Sequence, residues 1–376
     1  MVKEKKKLWL IAAFILFFVV YFFIAGRPIP RETVLEGSWL GSLDSGDIFW
    51  VNVSDSASEF AYNEASTDSF NTIPFILGGR FGYIDTNGRF TINRIKQGNL
   101  SLSGAKWAEY DAAPIGLEIK NNRNELIETI DKPHGYPMFL DGRTFIINSE
   151  QNALSETNGS GAVMWNYEFS APLTCADAAS GLVLAGSLDG RAEVLDAKGR
   201  QLFAFEPGGS RYSVILGCAF SRDGTRFALI SGIDKQRFLL FEHFGSQSGE
   251  YKIIYHEFLG EGFRQPVHIS FVDRDRRVVF ELEHGLGIYE INSRKRYTIA
   301  LEGEVAAIDD LGSEGNLFVI TGIPLSEHKK LVGINLPDKI FMNAPFKSSD
   351  IFLGRNGSHI FVGGGSNIAC FKLEKK

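Results

Sequence analysis

The side chains of this chain that could do chemistry are scattered along it. Seven histidines occur, at His134, His243, His256, His268, His284, His328 and His359, with no pair at i,i+4. A metal site would therefore have to be assembled wholly by the fold. His256, His268 and His284 fall in consecutive predicted strands or turns and would converge at a channel mouth; the alternative is a set of surface or strand-bonded histidines. The three cysteines, Cys175, Cys218 and Cys370, are far apart and include no CxxC, which argues against a disulfide framework or a zinc site. Buried free thiols are expected, with a chance pair in an oxidising compartment as the alternative. The chain holds no glycine-rich P-loop, no GxSxG elbow and no HExxH. No catalytic, cofactor-binding or metal-ligating residue is therefore assigned, and the expectation is a protein that is not an enzyme.

Carboxylates at Asp85, Asp196 and Asp223 look like catalytic candidates until their spacing is considered. Each closes a short apolar strand ahead of a polar turn, as in Tyr83-Ile84-Asp85-Thr86-Asn87-Gly88 and Val194-Leu195-Asp196-Ala197-Lys198-Gly199. The same phrase ends, more loosely, at Lys120, Glu156, Glu242, Glu290, Asn335 and Leu373, at intervals of 35 to 48 residues. Aspartates that recur with a repeat belong to turn hydrogen bonding. A period of about 40 to 50 residues built from short strands predicts propeller blades of about four strands. The predicted fold is all-β, a β-propeller of about eight four-stranded blades over residues 36–376. Seven is the alternative, because the units ending at Asp85 and Lys120 are the weakest. Phe at 31 copies and Gly at 40 suit many short strands and turns. The last unit stops as its third strand ends, so residues near Glu36 to Val53 are expected to supply its outer strand and remove the open sheet edge.

The clearest blade runs from Pro172 to about Phe205, with a tight Asp189-Gly190 hairpin between its second and third strands. Together with the preceding Gly159-Ser160-Gly161-Ala162-Val163-Met164-Trp165, it resembles the PQQ-like (quinoprotein-type) propeller repeat. The next unit, Phe220-Ser221-Arg222-Asp223-Gly224, resembles the strand-turn of WD-type propellers. The likeness covers about residues 150–230. It implies propeller architecture and leaves function open. Quinoprotein dehydrogenases use adjacent cysteines at their cofactor site; no Cys-Cys pair occurs here, so neither PQQ nor another cofactor is expected. Tryptophan is expected on an outer strand only at Trp165, with Phe203 and Phe205 filling equivalent places.

The N-terminus has another character. Residues 1–7 hold Lys3, Lys5, Lys6 and Lys7, and residues 8–26 carry no charge. Nineteen helical residues span about 28 Å, close to a bilayer core of roughly 30 Å. The expectation is a basic cytoplasmic tail (1–7), a transmembrane signal anchor (8–26), a proline-stiffened linker (27–35) and a propeller outside the cytoplasm, periplasmic if the cell has that compartment. A cleaved signal peptide is the alternative. Net charge is −6, and without the +3 of residues 1–7 the remainder carries −9, no footprint for nucleic acid.

Two irregularities stand apart from the repeat: an enlarged turn over 244–250 and an insertion around Pro324 to Lys330. Insertions in repeat proteins map to loops, often on one binding face. The stretch Asp273-Arg274-Asp275-Arg276-Arg277 reads as a solvated hairpin. The functional expectation is a membrane-tethered, non-catalytic scaffold for envelope proteins. The alternative is a sensor or enzyme that binds a small molecule or glycan in a polar central channel.

Overall fold

Each predicted repeat folds as one small antiparallel sheet whose strands follow each other in sequence. The structure, a computed structural model, describes residues 9, 14–18, 21, 32–50, 72–245, 250–260, 262, 265–309 and 314–375. Among them are eight sheets, so the protein is an eight-bladed all-β propeller and the seven-blade alternative falls. Blades two to seven are four-stranded and run from Asn99 to Lys347. Blade one shows three strands, Thr72–Leu77, Arg80–Asp85 and Phe90–Ile95. Its Asp85 turn makes these the counterparts of the second to fourth strands elsewhere.

Blade eight joins the two ends of the chain. Its order runs from Ile351–Asn356 through His359–Gly364 and Asn367–Lys375 to Thr33–Ser42 and then Ile48–Trp50. The strand Thr33–Ser42 begins inside the span expected as linker. Residues 1–36 with 373–376 form one compact unit and residues 37–372 another. In the first, residues 14–18 are helical, and 33–36 and 373–375 are strand. The expected anchor, 8–26, lies largely outside the described residues; among those described, no helix is long and apolar enough to cross a membrane.

In the larger unit, blades meet through side chains that alternate along each strand. Buried clusters form at successive seams, such as Phe227, Phe241 and Leu229 between blades four and five and Phe238, Phe280 and Tyr289 between five and six. Phe227 stacks on Phe241 at 4.4 Å and Phe238 on Phe280 at 4.5 Å. Such aromatic pairs add about 0.5–1.5 kcal/mol beyond burial. Phe203 and Phe205 pack on this set, as their sequence position implied. At the seam of blades seven and eight sits a buried ion pair, Arg355 Nη1 to Asp309 Oδ2 at 3.2 Å, with Arg355 also donating to the carbonyl of Asn316.

Tryptophan docking repeats where one copy was expected. Trp165, on the outer strand of blade three, lies over Gly199 in the Asp196 turn of blade four. Trp39, on the outer strand of blade eight, does the same to blade one: it lies against Gly88 and its Nε1 donates to the carbonyl of Thr86 at 2.9 Å. Gly199 and Gly88 have φ of 72° and 83°, so a side chain there meets backbone strain and the indole together.

The turns divide the disc into two faces. One, the turn face, carries the turns between first and second and between third and fourth strands. The other, the connection face, carries the turns between second and third strands and the links from blade to blade.

Candidate functional site

Inner strands of three neighbouring blades open a cleft of about 450 Å³. Blade four supplies Ala176 to Ala179, blade five Cys218 to Phe220 and blade six Ile269 to Phe271, while Asp141, Arg222 and Asp275 reach it from turns. Seams are stitched by side chains as well as by a few main-chain bonds, such as Val267 N to the carbonyl of Leu216 at 2.8 Å. Asp177 Oδ2 accepts the main-chain N–H of Phe220 at 2.7 Å, tying blade four to five. Asp275 Oδ2 accepts the main-chain N–H of Arg222 at 3.1 Å, tying five to six.

The second oxygen of Asp275, Oδ1, is buried with no partner among the described residues. Burial pushes the Asp275 carboxyl up, against the pull of the Arg222 amide. An unsatisfied buried acceptor costs about 1–3 kcal/mol, which a ligand N–H or O–H would recover. Further along blade six, His268 Nε2 lies 3.3 Å from Ser270 Oγ, and Glu281 Oε2 accepts the His268 main-chain N–H at 3.3 Å. Burial, with Glu304 nearby, also pushes the Glu281 carboxyl up. A polar track of Asp275, Ser270, His268 and Glu281 thus follows one inner strand from face to face. The contact between His268 and Ser270 follows from strand spacing, since residues two apart share a face. A second cavity, about 700 Å³, opens on the turn face over blades one to three. Hydroxyls and amides of Thr72, Ser103, Asn121 and Asn122 line it, and Asp141 borders both cavities.

All three turn aspartates hydrogen-bond their own turns, Asp85 and Asp196 between third and fourth strands and Asp223 between first and second. Asp85 Oδ1 accepts the N–H groups of Asn87 and Arg89 at 2.9 and 2.8 Å, and Asp196 Oδ1 those of Lys198 and Arg200 at 2.8 and 2.9 Å. Asp223 Oδ1 accepts from Thr225 N at 3.0 Å and Ser221 Oγ at 2.7 Å. The three histidines do not converge. His256 is exposed on the outermost strand of blade five, His268 precedes the innermost strand of blade six, and His284 is exposed in a turn. Among the described residues no group of three or more His, Cys, Asp or Glu is placed to hold a metal.

The hairpin 273–277 is not solvated throughout. Asp273 is fully buried, and its carboxylate takes Arg276 Nη2 at 2.5 Å, Arg277 Nη1 and the N–H of Gly315 at 3.1 Å. Arg277 reaches on to Glu290 Oε1 at 2.5 Å. Asp273, Arg274 and Asp275 all adopt positive φ, at 56°, 56° and 60°. Three consecutive left-handed residues with side chains are costly, so the clamp at Asp273 holds strained backbone that presents Asp275 to the cleft. A charge-rich pentapeptide gives no sign of this in sequence; the signal lies in its partners at Gly315 and Glu290.

Comparisons with known proteins agree with the architecture. An uncharacterized protein of Treponema pallidum (strain Nichols) is 28% identical over 330 residues, 87% of this chain and 83% of that protein. The computationally designed Ika8 protein superposes with a TM-score of 0.59 at 12% identity, over 80% of this chain and 93% of that one. Apo AztD from Citrobacter koseri gives 0.52 at 14% identity, over 78% and 88%. At such identities the two structures speak for the fold alone. With eight blades on one side and a family model matching residues 1–375 on the other, the chain belongs to the beta-propeller protein family.

Proposed function

We propose that the protein is a membrane-tethered, non-catalytic scaffold that holds a protein partner on the connection face of its propeller. The observation that carries this reading is a set of exposed large apolar side chains on that face. Ile95, Ile115, Leu188, Tyr212, Phe258 and Leu325 all project there, from blades one, two, four, five and seven, and Ile115 is 86% exposed. Leu325 belongs to the insertion singled out in the sequence. Exposed carboxylates stand among them, including Asp111, Asp131, Glu150 and Asp189. Exposed Lys96, Lys132, Arg211 and Lys235 stand there too, so apolar knobs among charges of both signs fit a partner with apolar pockets and a mixed charged rim. Residues 8–26 supply the tether in this reading, supported by their lack of charge and by the exposed helical side chains Phe14 to Phe18. In this reading the propeller lies outside the cytoplasm, against the inner membrane, supported by the lysines of residues 1–7 ahead of the uncharged stretch.

Ile115→Asp and Leu325→Asp, placed in the full-length protein, are expected each to weaken partner capture from gently solubilised membranes by roughly 30-fold, a hot-spot loss of about 2 kcal/mol. Melting temperature should be unchanged. Absence of any stoichiometric partner, or equal capture by the variants, overturns the proposal.

The free Asp275 oxygen favours a second reading, a ligand rich in N–H or O–H donors in the inner-strand cleft. A panel of polyamines and oligosaccharides, scanned by thermal shift, is expected to include one that stabilises the parent and not Asp275→Asn. At a hundred times Kd the gain is about 2.7 kcal/mol. No shift at millimolar ligand would sink this reading.

A further inference from the structure

Two of the three cysteines lie at one seam. The inner strands of blades four and five, Leu173–Ala179 and Ile215–Phe220, run side by side. They are stitched at two levels, where Thr174 Oγ1 donates to the carbonyl of Ile215 and where Phe220 N donates to Asp177. Cys175 falls between the two stitches on one strand and Cys218 between them on the other. Cys175 packs against the buried cluster that contains Cys218, and both thiols are free. Cys218 also lines the inner-strand cleft, while the half-buried Cys175 is the thiol open to a reagent.

We infer that Cys175 and Cys218 are a reversible dithiol that closes to a disulfide across the seam of blades four and five, next to Asp177. A hydrogen bond with Cys175, followed by burial, raises the Cys218 thiol well above its ordinary pKa, which agrees with contact between the thiols. The half-buried Cys175 is then the attacking group and the buried Cys218 the resolving one. The oxidant is a disulfide, either a small one such as oxidised glutathione or that of a disulfide-exchange protein. Cys175 thiolate attacks one sulfur of that disulfide and the other sulfur leaves as a thiolate, giving a mixed disulfide at Cys175. Cys218, on losing its proton, attacks the Cys175 sulfur and expels the second thiolate. Both leaving thiolates take up the two protons released, so two protein thiols are oxidised and one external disulfide is reduced to two thiols. The bond closes a loop of 44 residues, from 175 to 218 inclusive, and fixes the two strands that line the cleft.

Cys370 serves as an internal control. It is buried on blade eight, and burial pushes its thiol up to about 12. The test treats the full-length protein with oxidised glutathione at a pH of about 8, where thiolate attack is efficient. Non-reducing digestion and mass spectrometry then follow. The expected product is a cross-linked pair of peptides carrying Cys175 and Cys218, short of two hydrogens, with Cys370 still a thiol. Melting should rise by roughly 3–8 °C, revert with dithiothreitol and stay unmoved in Cys175→Ala. A reaction that stops at a glutathione adduct on Cys175 overturns the inference, as does a cross-link that appears only in denaturant. Circular dichroism of Cys175→Ala checks that the variant folds, and a parallel Cys370→Ala protein must still cross-link.

Discussion

Deletion of residues 36–53 is expected to leave no cooperatively folded propeller. The segment supplies the fourth strand of blade eight, next to Asn367–Lys375. Its Trp39 is 1% exposed, packs edge-on against Phe361 at 5.8 Å and hydrogen-bonds to blade one through Thr86. Leu43 is equally buried, and its N–H donates to the carbonyl of Ser366 at 2.8 Å. Removal of a buried Trp and Leu costs roughly 5–10 kcal/mol, comparable with the whole stability of a domain. It also bares the edge of Asn367–Lys375, a template for aggregation. Calorimetry and size exclusion give the readout: loss of the melting transition with aggregation is expected, and a soluble protein with unchanged melting would refute closure by this strand. Trp39→Ala should show the same effect in milder form, about 3–5 kcal/mol.

Asp273→Ala should be the most damaging single substitution on the turn face, at about 3–5 kcal/mol in chemical denaturation. It strips the carboxylate from Arg277, which is only 14% exposed, and from the N–H of Gly315, while leaving the left-handed run 273–275 unsupported. Asp273→Asn keeps the shape and loses the charge, so it should recover part of that loss. A cost under about 1 kcal/mol for the alanine variant would show that the turn holds its conformation without the clamp. The variant bears on the cleft too, since Asp275 is aimed from the same turn.

The fold was legible because a blade is a local object. Its strands pair with their neighbours in sequence, and Asp85 and Asp196 mark the same turn in blades one and four, so hairpin chemistry could be read directly. The places where blades meet were not legible. Trp39 reads as one aromatic in a short strand; its role depends on Thr86, Gly88 and Phe361, which no repeat period links to it. Asp273 fails for the same reason, with partners at Gly315 and Glu290-bound Arg277. The cleft was not legible either, because no residue type or spacing marks the strand positions that line it. Asp177 and Ser270 are ordinary strand positions until the inner strands of three blades stand together.

The shared blade also sets a clock. Trp39 and Phe361 are 322 residues apart, so the ribosome makes one side of this contact long before the other. At about 5–20 residues per second, the Trp39 strand waits on the order of tens of seconds for its partner. During that interval an apolar edge is exposed on a growing chain, and the ring cannot close until Asn367–Lys375 has been made. A strand made early is thus completed by one made more than 300 residues later.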